Sequence, residues 1–311
     1  MPTDAETRGF NYVTKDGNLL DQKITAGLFT AALGTPEVDL VNGGRSFTLK
    51  TISTSGLKDH TRGKGFNSGT VSDEKTIYTM GRDRDVEFYL DRQDVDETDN
   101  ELAMANISNV FITEHVQPEL DSYRFSKIAT SFDNLDGNDT AGALLAKTHK
   151  TEETLDATNA YSQLKTGIGK VRKYGTQNLV GYVSSEVMDA LERSKEFTRN
   201  ITNQNVGTTA LESRITSLDG VQLIEVYESN RFMTKYDFTD GAKPTEDAKA
   251  INFLVVAKPA VISIVKENAV FLFAPGQHTD GDGYLYQNRL YHDLFIKKHK
   301  RDGIFVSVKK A

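Results

Sequence analysis

The chain has 311 residues, 38% hydrophobic and 26% charged, with a net charge of −7 and no cysteine. The lack of cysteine excludes disulfides, thiol nucleophiles and cysteine-held metal centres, and the acidic balance argues against a dedicated nucleic-acid binder, which uses excess Lys and Arg to neutralise phosphates. The length suits one large or two intimate domains, no apolar run of roughly 18 residues offers a membrane span, and Met1 to Phe10 lack the apolar segment of a signal peptide, so synthesis in the cytoplasm is expected.

Residues 1–23 are polar and read as an extended arm, and 24–33 (ITAGLFTAAL) predict a short helix ending at Gly34. Residues 46–53 alternate apolar with polar and predict a strand. A polar tip follows at 54–70, with Gly56, Gly63, Gly65 and Gly69, and then a second extended stretch at 74–91. Together these predict a long hairpin. Within its second arm, Arg82, Arg84, Val86, Phe88 and Leu90 share one face, and Asp83, Asp85, Glu87, Tyr89 and Asp91 the other. Such a strand is either half-buried with one solvated face or docked between subunits, where opposite charges set register and partner choice.

The strongest helix signal runs from about 97 to 130. Thr98 and Glu101 have capping-box spacing behind Asp94, Asp96 and Glu97. Ala103, Ile107, Val110 and Phe111 follow at helical spacing, and Leu120, Tyr123 and Lys127 continue it. Pro118 should kink or break this helix. Residues 133–156 read as a turn, a short helix and a linker. Tyr161, Leu164, Ile168 and Val171 predict another helix, stopped near Gly175. Strands are predicted at 178–184, 221–227 and 251–257, a helix capped by Ser184 or Ser185 at 185–195, and polar excursions at 198–213 and 228–250. Beyond Pro259 come the apolar runs AVISIV, AVFLFA and YLYQNRLYHDLFI. Asp302-Gly303 then signals a hairpin between two last strands. The pattern is a compact α/β unit inserted in an α+β frame.

Chemistry is hard to find. His60, His115, His149, His278, His292 and His299 are scattered, with no HExxH pair. The segment from His278 to Arg289 matches a calcium loop only at Asp280, Asp282 and Gly283, and Arg289 stands where a bidentate carboxylate is needed. No phosphate-cradling glycine motif or GxSxG elbow is present. No catalytic, cofactor-binding or metal-binding residue is assigned, and no enzyme activity is expected. The basic run Lys297, Lys298, His299, Lys300 and Arg301 lacks the aromatic interleaving of a single-strand binder. It is expected to act in solvent or at subunit contacts.

One family resemblance gathers these features. The stretch MGRDRDVEFYLDRQDVDETDNELAMANISNVFITEHVQPELDSYRFSKIA (80–129), with GYVSSEVMDALERS (181–194), SLDGVQLIEV (217–226) and KRDGIF (300–305), resembles the major capsid (head) proteins of tailed phages and prophages of Gram-positive bacteria. That resemblance implies the α+β Hong Kong 97-type fold. It places an N-terminal arm at 1–30 and an extended β-hairpin loop at 44–92. A discontinuous peripheral domain with a long spine helix would take 31–43, 93–150 and 259–311, and an α/β axial domain 151–258. It implies a protein that assembles with itself through pentamers and hexamers into an icosahedral shell around double-stranded DNA that it does not grip tightly. It also implies a portal, a separate scaffolding protein, because the arm is too short to hold one, and residence in the virion after synthesis in the bacterial cytoplasm, with no membrane partner. Arg82, Asp83, Arg84, Asp85, Glu87 and Asp91 are the subunit-contact candidates. The alternatives are an encapsulin-type compartment shell, or a tail-tube or sheath protein; an α/β hydrolase or carbohydrate binder lacks any supporting motif.

Overall fold

The structure is a computed structural model that describes residues 27–34, 45–63, 65–92, 104–133, 140–195, 216–277 and 281–310. Its largest element is a six-stranded sheet of β4 (Lys150–Glu152), β5 (Leu179–Ser184), β6 (Ser217–Leu218), β7 (Val221–Val226), β10 (Ile251–Ala257) and β13 (Ile304–Val308). These lie in the order β4-β13-β10-β5-β7-β6. Every residue of β10 is buried, as a nearly continuous apolar run such as INFLVVA dictates when both faces of a strand are covered, and its one polar side chain, Asn252, donates to the Glu153 carbonyl and Ser307 Oγ. Helix α4 (Ala160–Val171) covers this sheet through Gly167. A Cβ there would stand 2.8 Å from the Phe305 ring and 2.9 Å from the Phe253 ring, so glycine is what lets helix and sheet approach so closely.

The predicted long helix is continuous through Pro118 among the described residues. It comprises α1 (Met104–Phe111), a π-helical turn (Ile112–Val116) and α2 (Gln117–Ala129). Pro118 has no N–H to give to the carbonyl four residues back, and its ring would crowd that carbonyl. The π turn widens the ladder just before it, where the Gln117 N–H reaches back to the Ile112 carbonyl. The expected kink is thus absorbed as a bulge. The Thr98/Glu101 capping box lies outside the described residues. Phe125 of α2 meets Tyr182 and Phe232 edge-on, with centroids 5.1 and 4.9 Å apart, which joins the helix to the main core.

A second, three-stranded sheet has the order β11-β12-β3, with β3 at Arg82–Leu90, β11 at Val261–Phe273 and β12 at Tyr284–Ile296. AVISIV and AVFLFA belong to the single strand β11, whose register with β12 shifts between Val265 and Glu267. The hairpin is a two-stranded ribbon of β1 (Ser46–Thr54) and β2 (Val71–Thr79), paired from Ser46/Thr79 to Thr54/Val71. The stretch expected as one strand over 74–91 is therefore two. The chain turns at Met80-Gly81, and β3 pairs with β12 and not with the ribbon.

Two more expectations are corrected. Asp302-Gly303 is no hairpin turn: Lys298–Gly303 form 3-10 turns, β12 belongs to the three-stranded sheet and β13 to the six-stranded one. Gly303 is needed instead for close approach, since a Cβ would lie 2.9 Å from that of Ala260. Residues 304–308 form β13, which lies in the sheet between β10 and β4. In the arm, Phe29–Leu33 form a 3-10 helix ahead of Gly34, with residues 24–26 outside the described part. The excursion at 228–250 holds a small ribbon, β8 (Tyr236–Asp237) with β9 (Lys243–Pro244), while 198–213 lie outside the described residues. The helix expected at 185–195 is α5 (Ser185–Glu192), behind an extended Ser184. The short helix expected within 133–156 is α3 (Thr140–His149).

Candidate functional site

Helix α2 carries PELDSYR, and its polar side chains tie several segments to it. Glu119 takes two bonds from Arg84 of β3, at 2.7 and 3.3 Å. Asp121, fully buried, accepts from the Phe29 and Thr30 amides at 3.1 and 3.0 Å and from the Thr30 hydroxyl at 2.7 Å, which clamps the arm to the helix. Arg231, from the 228–250 excursion, reaches the same carboxylate at 3.5 Å, and Arg124 donates to Thr30 Oγ1 at 2.8 Å. Burial pushes the Asp121 carboxyl upward, opposed by the Thr30 and Phe29 hydrogen bonds and the Arg124 charge. Tyr123 donates to Asp293 of β12 at 2.6 Å, and Lys127 pairs with the same carboxylate. Burial by itself would raise the Asp293 carboxyl, but the Lys127 ammonium together with the Tyr123 and Gly81 hydrogen bonds outweighs it and holds the group below its usual range.

The six contact candidates divide by face, with burial alternating along β3. The two arginines are engaged inside their own chain. Arg82 lies over the Tyr123 and Phe238 rings, 4.8 and 4.4 Å from their centroids, and Arg84 is held by Glu119. The acids point outward. Asp83 is nonetheless bridged by Arg289 of β12, at 3.0 and 2.7 Å, and this hydrogen bond holds its carboxyl below the usual range. Glu87 accepts from Gln287 at 2.6 Å. Asp85 is exposed with no hydrogen bond or ion pair among the described residues, and Asp91 is exposed just past the strand. Part of the acidic face is therefore countered within the chain. Arg289 was missed as its partner because β3 and β12 are adjacent only in space.

The ribbon has two unlike faces. Phe47, Leu49 and Tyr78 lie inward in a small core with Met80, Ile262, Ile264, Tyr291 and Phe295. Thr48, Lys50, Ile52, Thr54, Val71, Asp73, Lys75 and Ile77 are all exposed on the other side. At the tip, Leu57 and Phe66 are fully exposed. The basic run anchors the ribbon's inner face: Lys298 Nζ meets Glu74 at 2.7 Å, its amide donates to Tyr78 Oη at 3.2 Å, and His299 Nε2 lies 3.2 Å from Glu74.

No group of three potential metal ligands occurs among the described residues, and no described helix is long and apolar enough to cross a membrane. Residues 278–280 of the calcium-like segment lie outside the described part, and Arg289 sits on β12 bound to Asp83. His292 is buried with neither ring nitrogen hydrogen-bonded, edge-on to Tyr123 at 5.3 Å. Burial, with Arg124 nearby, pushes it down to about 3. The neighbouring Arg82, Arg124 and Lys127 charges, with burial, keep this imidazole neutral.

No family model matches the sequence, and no curated protein matches it. Solved structures do. The chain is similar to the mature capsid of bacteriophage PhiM1 (14% identity, TM-score 0.63, 86% of this chain and 83% of that one). It is also similar to the capsid structure of cyanophage P-SCSP1u (13%, 0.64, 90% and 87%). A structure from Mycobacterium phage Che8 matches as well (14%, 0.61, 90% of each chain). At such identities the likeness speaks for the fold. A projecting ribbon, a long helix seated against two sheets and a compact α/β unit thus add up to the Hong Kong 97-type fold of phage capsid structures.

Proposed function

We propose that this chain is the major capsid protein of a tailed phage, a shell-building protein with no catalytic turnover. It assembles with itself through pentamers and hexamers into an icosahedral shell around double-stranded DNA. The observation that carries this is the ribbon. A lone two-stranded hairpin is marginal in water, yet this one presents eight exposed outward residues, Ile52, Val71 and Ile77 among them, at 70%, 73% and 68% exposure. Such a surface gains from contact with another copy. The capsid structures sharing the fold support the reading.

In this account residues 1–30 are the arm, 44–92 the extended loop, 31–43, 93–150 and 259–311 the peripheral domain, and 151–258 the axial domain. The portal and a separate scaffolding protein are its partners, and the virion is its place after synthesis in the host cytoplasm. Lys298 and His299 of the basic run hold the ribbon, and the run is not offered to DNA, which suits a shell that must release its content. Negative-stain microscopy of the expressed full chain tests this: closed shells are expected. Open tubes would favour the tail-tube or sheath alternative. A stable monomer at high concentration would overturn the proposal.

A further inference from the structure

The middle of α2 is wedged between the two large sheets. Tyr123 meets His292 of β12 edge-on at 5.3 Å, and Phe125 meets Tyr182 of β5 edge-on at 5.1 Å. Arg124 stands between these two rings in the chain, and its charge acts on both His292 and Tyr182. All three side chains lie in the core, with Arg124 5%, Tyr182 0% and His292 1% exposed.

Each of the three keeps a polar group unmet. Arg124 gives Nη1 to Thr30 Oγ1 at 2.8 Å, but its Nε has no hydrogen-bond partner among the described residues, nor has Tyr182 Oη, nor either ring nitrogen of His292. Folded proteins pair nearly all such buried atoms, so three neighbouring ones call for a shared partner. Its chemistry follows from what they offer. A guanidinium Nε–H can only donate, burial holds Tyr182 as a phenol with its hydrogen, and a neutral imidazole carries one N–H. The partner must therefore accept. The surrounding field favours negative charge, since Arg82, Arg124 and Lys127 act on His292 against one carboxylate, Asp293. Close packing among Tyr123, Phe125 and Tyr182 restricts it to a small one.

We infer that Arg124, Tyr182 and His292 form an internal site for a monatomic anion, a chloride ion, between α2 and the two sheets. A halide accepts from several donors at once and brings no hydrogen of its own that would need a partner. Because Arg124 also holds Thr30, whose amide and hydroxyl Asp121 accepts, the anion braces the point where the arm is fastened. The site belongs to the folded subunit, whatever that subunit assembles into.

Melting of the unassembled full chain in sodium chloride, bromide and gluconate at equal ionic strength tests it. Chloride and bromide should raise the midpoint over gluconate, which is too large to enter, by about 2–4 °C, the shift expected of a ligand moderately above its dissociation constant. Tyr182→Phe keeps the ring and removes one donor, and His292→Leu removes another; each should abolish the gap between the salts. Crystals of the full chain grown in bromide should show an anomalous peak within hydrogen-bonding distance of Arg124 Nε. Where one variant fails to fold, the other and the bromide peak decide. Equal midpoints in the three salts, no such peak, or a gap that persists in a folded variant would each overturn the inference and leave the three groups to water.

Discussion

Strand β10 and the ribbon are built from similar lengths of extended chain and live in opposite conditions. β10 is paired on both edges, by β5 and β13, and buried at every residue by its own molecule. In β1 and β2 each strand pairs only with the other, and one whole face meets solvent. The sequences differ accordingly: INFLVVA is apolar but for Asn252, whose amide donates to the Glu153 carbonyl and Ser307 Oγ, whereas SFTLKTIST alternates. A strand that its own chain covers on both sides is apolar nearly throughout, with any polar side chain hydrogen-bonded, and one that is half covered is apolar at every second position. The difference marks where the subunit is complete in itself and where it is not.

The largest expected effect lies on the self-sufficient side. Phe253→Ala removes a fully buried ring stacked 5.8 Å from Phe305 and should cost the isolated subunit about 3–5 kcal/mol in chemical denaturation. A loss below about 1 kcal/mol would mean the sheet core is not the subunit's foundation. Asp121→Ala should cost a comparable amount, about 3–5 kcal/mol, because Arg124 and Arg231 would be left buried without their shared carboxylate. It should also free the arm, seen as faster hydrogen exchange at Phe29 and Thr30.

A smaller effect is tied to pH. His292 titrates near 6.5 when unfolded and is pushed down to about 3 when folded. Between these values the unfolded chain binds the extra proton, so stability falls as pH drops from about 6.5 towards 3. His292→Leu should flatten that slope, removing roughly a few kcal/mol of the acid loss; an unchanged slope would show that other groups govern it. The smallest effect belongs to the ribbon. Ile52→Ser should move the isolated subunit's stability by no more than about 0.5 kcal/mol, as exposed sites do, while lowering shell yield. A large loss in the isolated subunit would mean the outward face is covered within the chain after all, and the contrast would collapse.

Local patterns made much of this legible. Period-2 burial along β3 follows directly from RDRDVEFYL, and the helical spacing of Tyr161, Leu164, Ile168 and Val171 located α4. What failed was non-local. Asp302-Gly303 has hairpin chemistry, but the strands on either side find partners in different sheets, which no turn residue encodes. The Asp83–Arg289 bridge depends on a register between segments some two hundred residues apart, a distance over which sequence spacing says nothing of contact. Pro118 was read correctly as a missing donor, yet a π turn can absorb such a defect without ending a helix. The buried roles of Asp121 and Arg124 were hidden for the same reason: a charged residue on a helix reads as solvated until its distant partners are placed.

The position of β13 governs when the edge of β10 is covered during synthesis. It lies between β10 and β4, pairing antiparallel with one and parallel with the other. During synthesis, β5 and β10 emerge first and can pair, but the far edge of β10 stays open until residues 304–308 have been made. An open edge on so apolar a strand invites pairing with any other chain, and partly made chains at high local concentration meet often enough for it. Because β13 follows β10 in the chain by way of the whole β11–β12 hairpin, that edge stays open until both of those strands have been made.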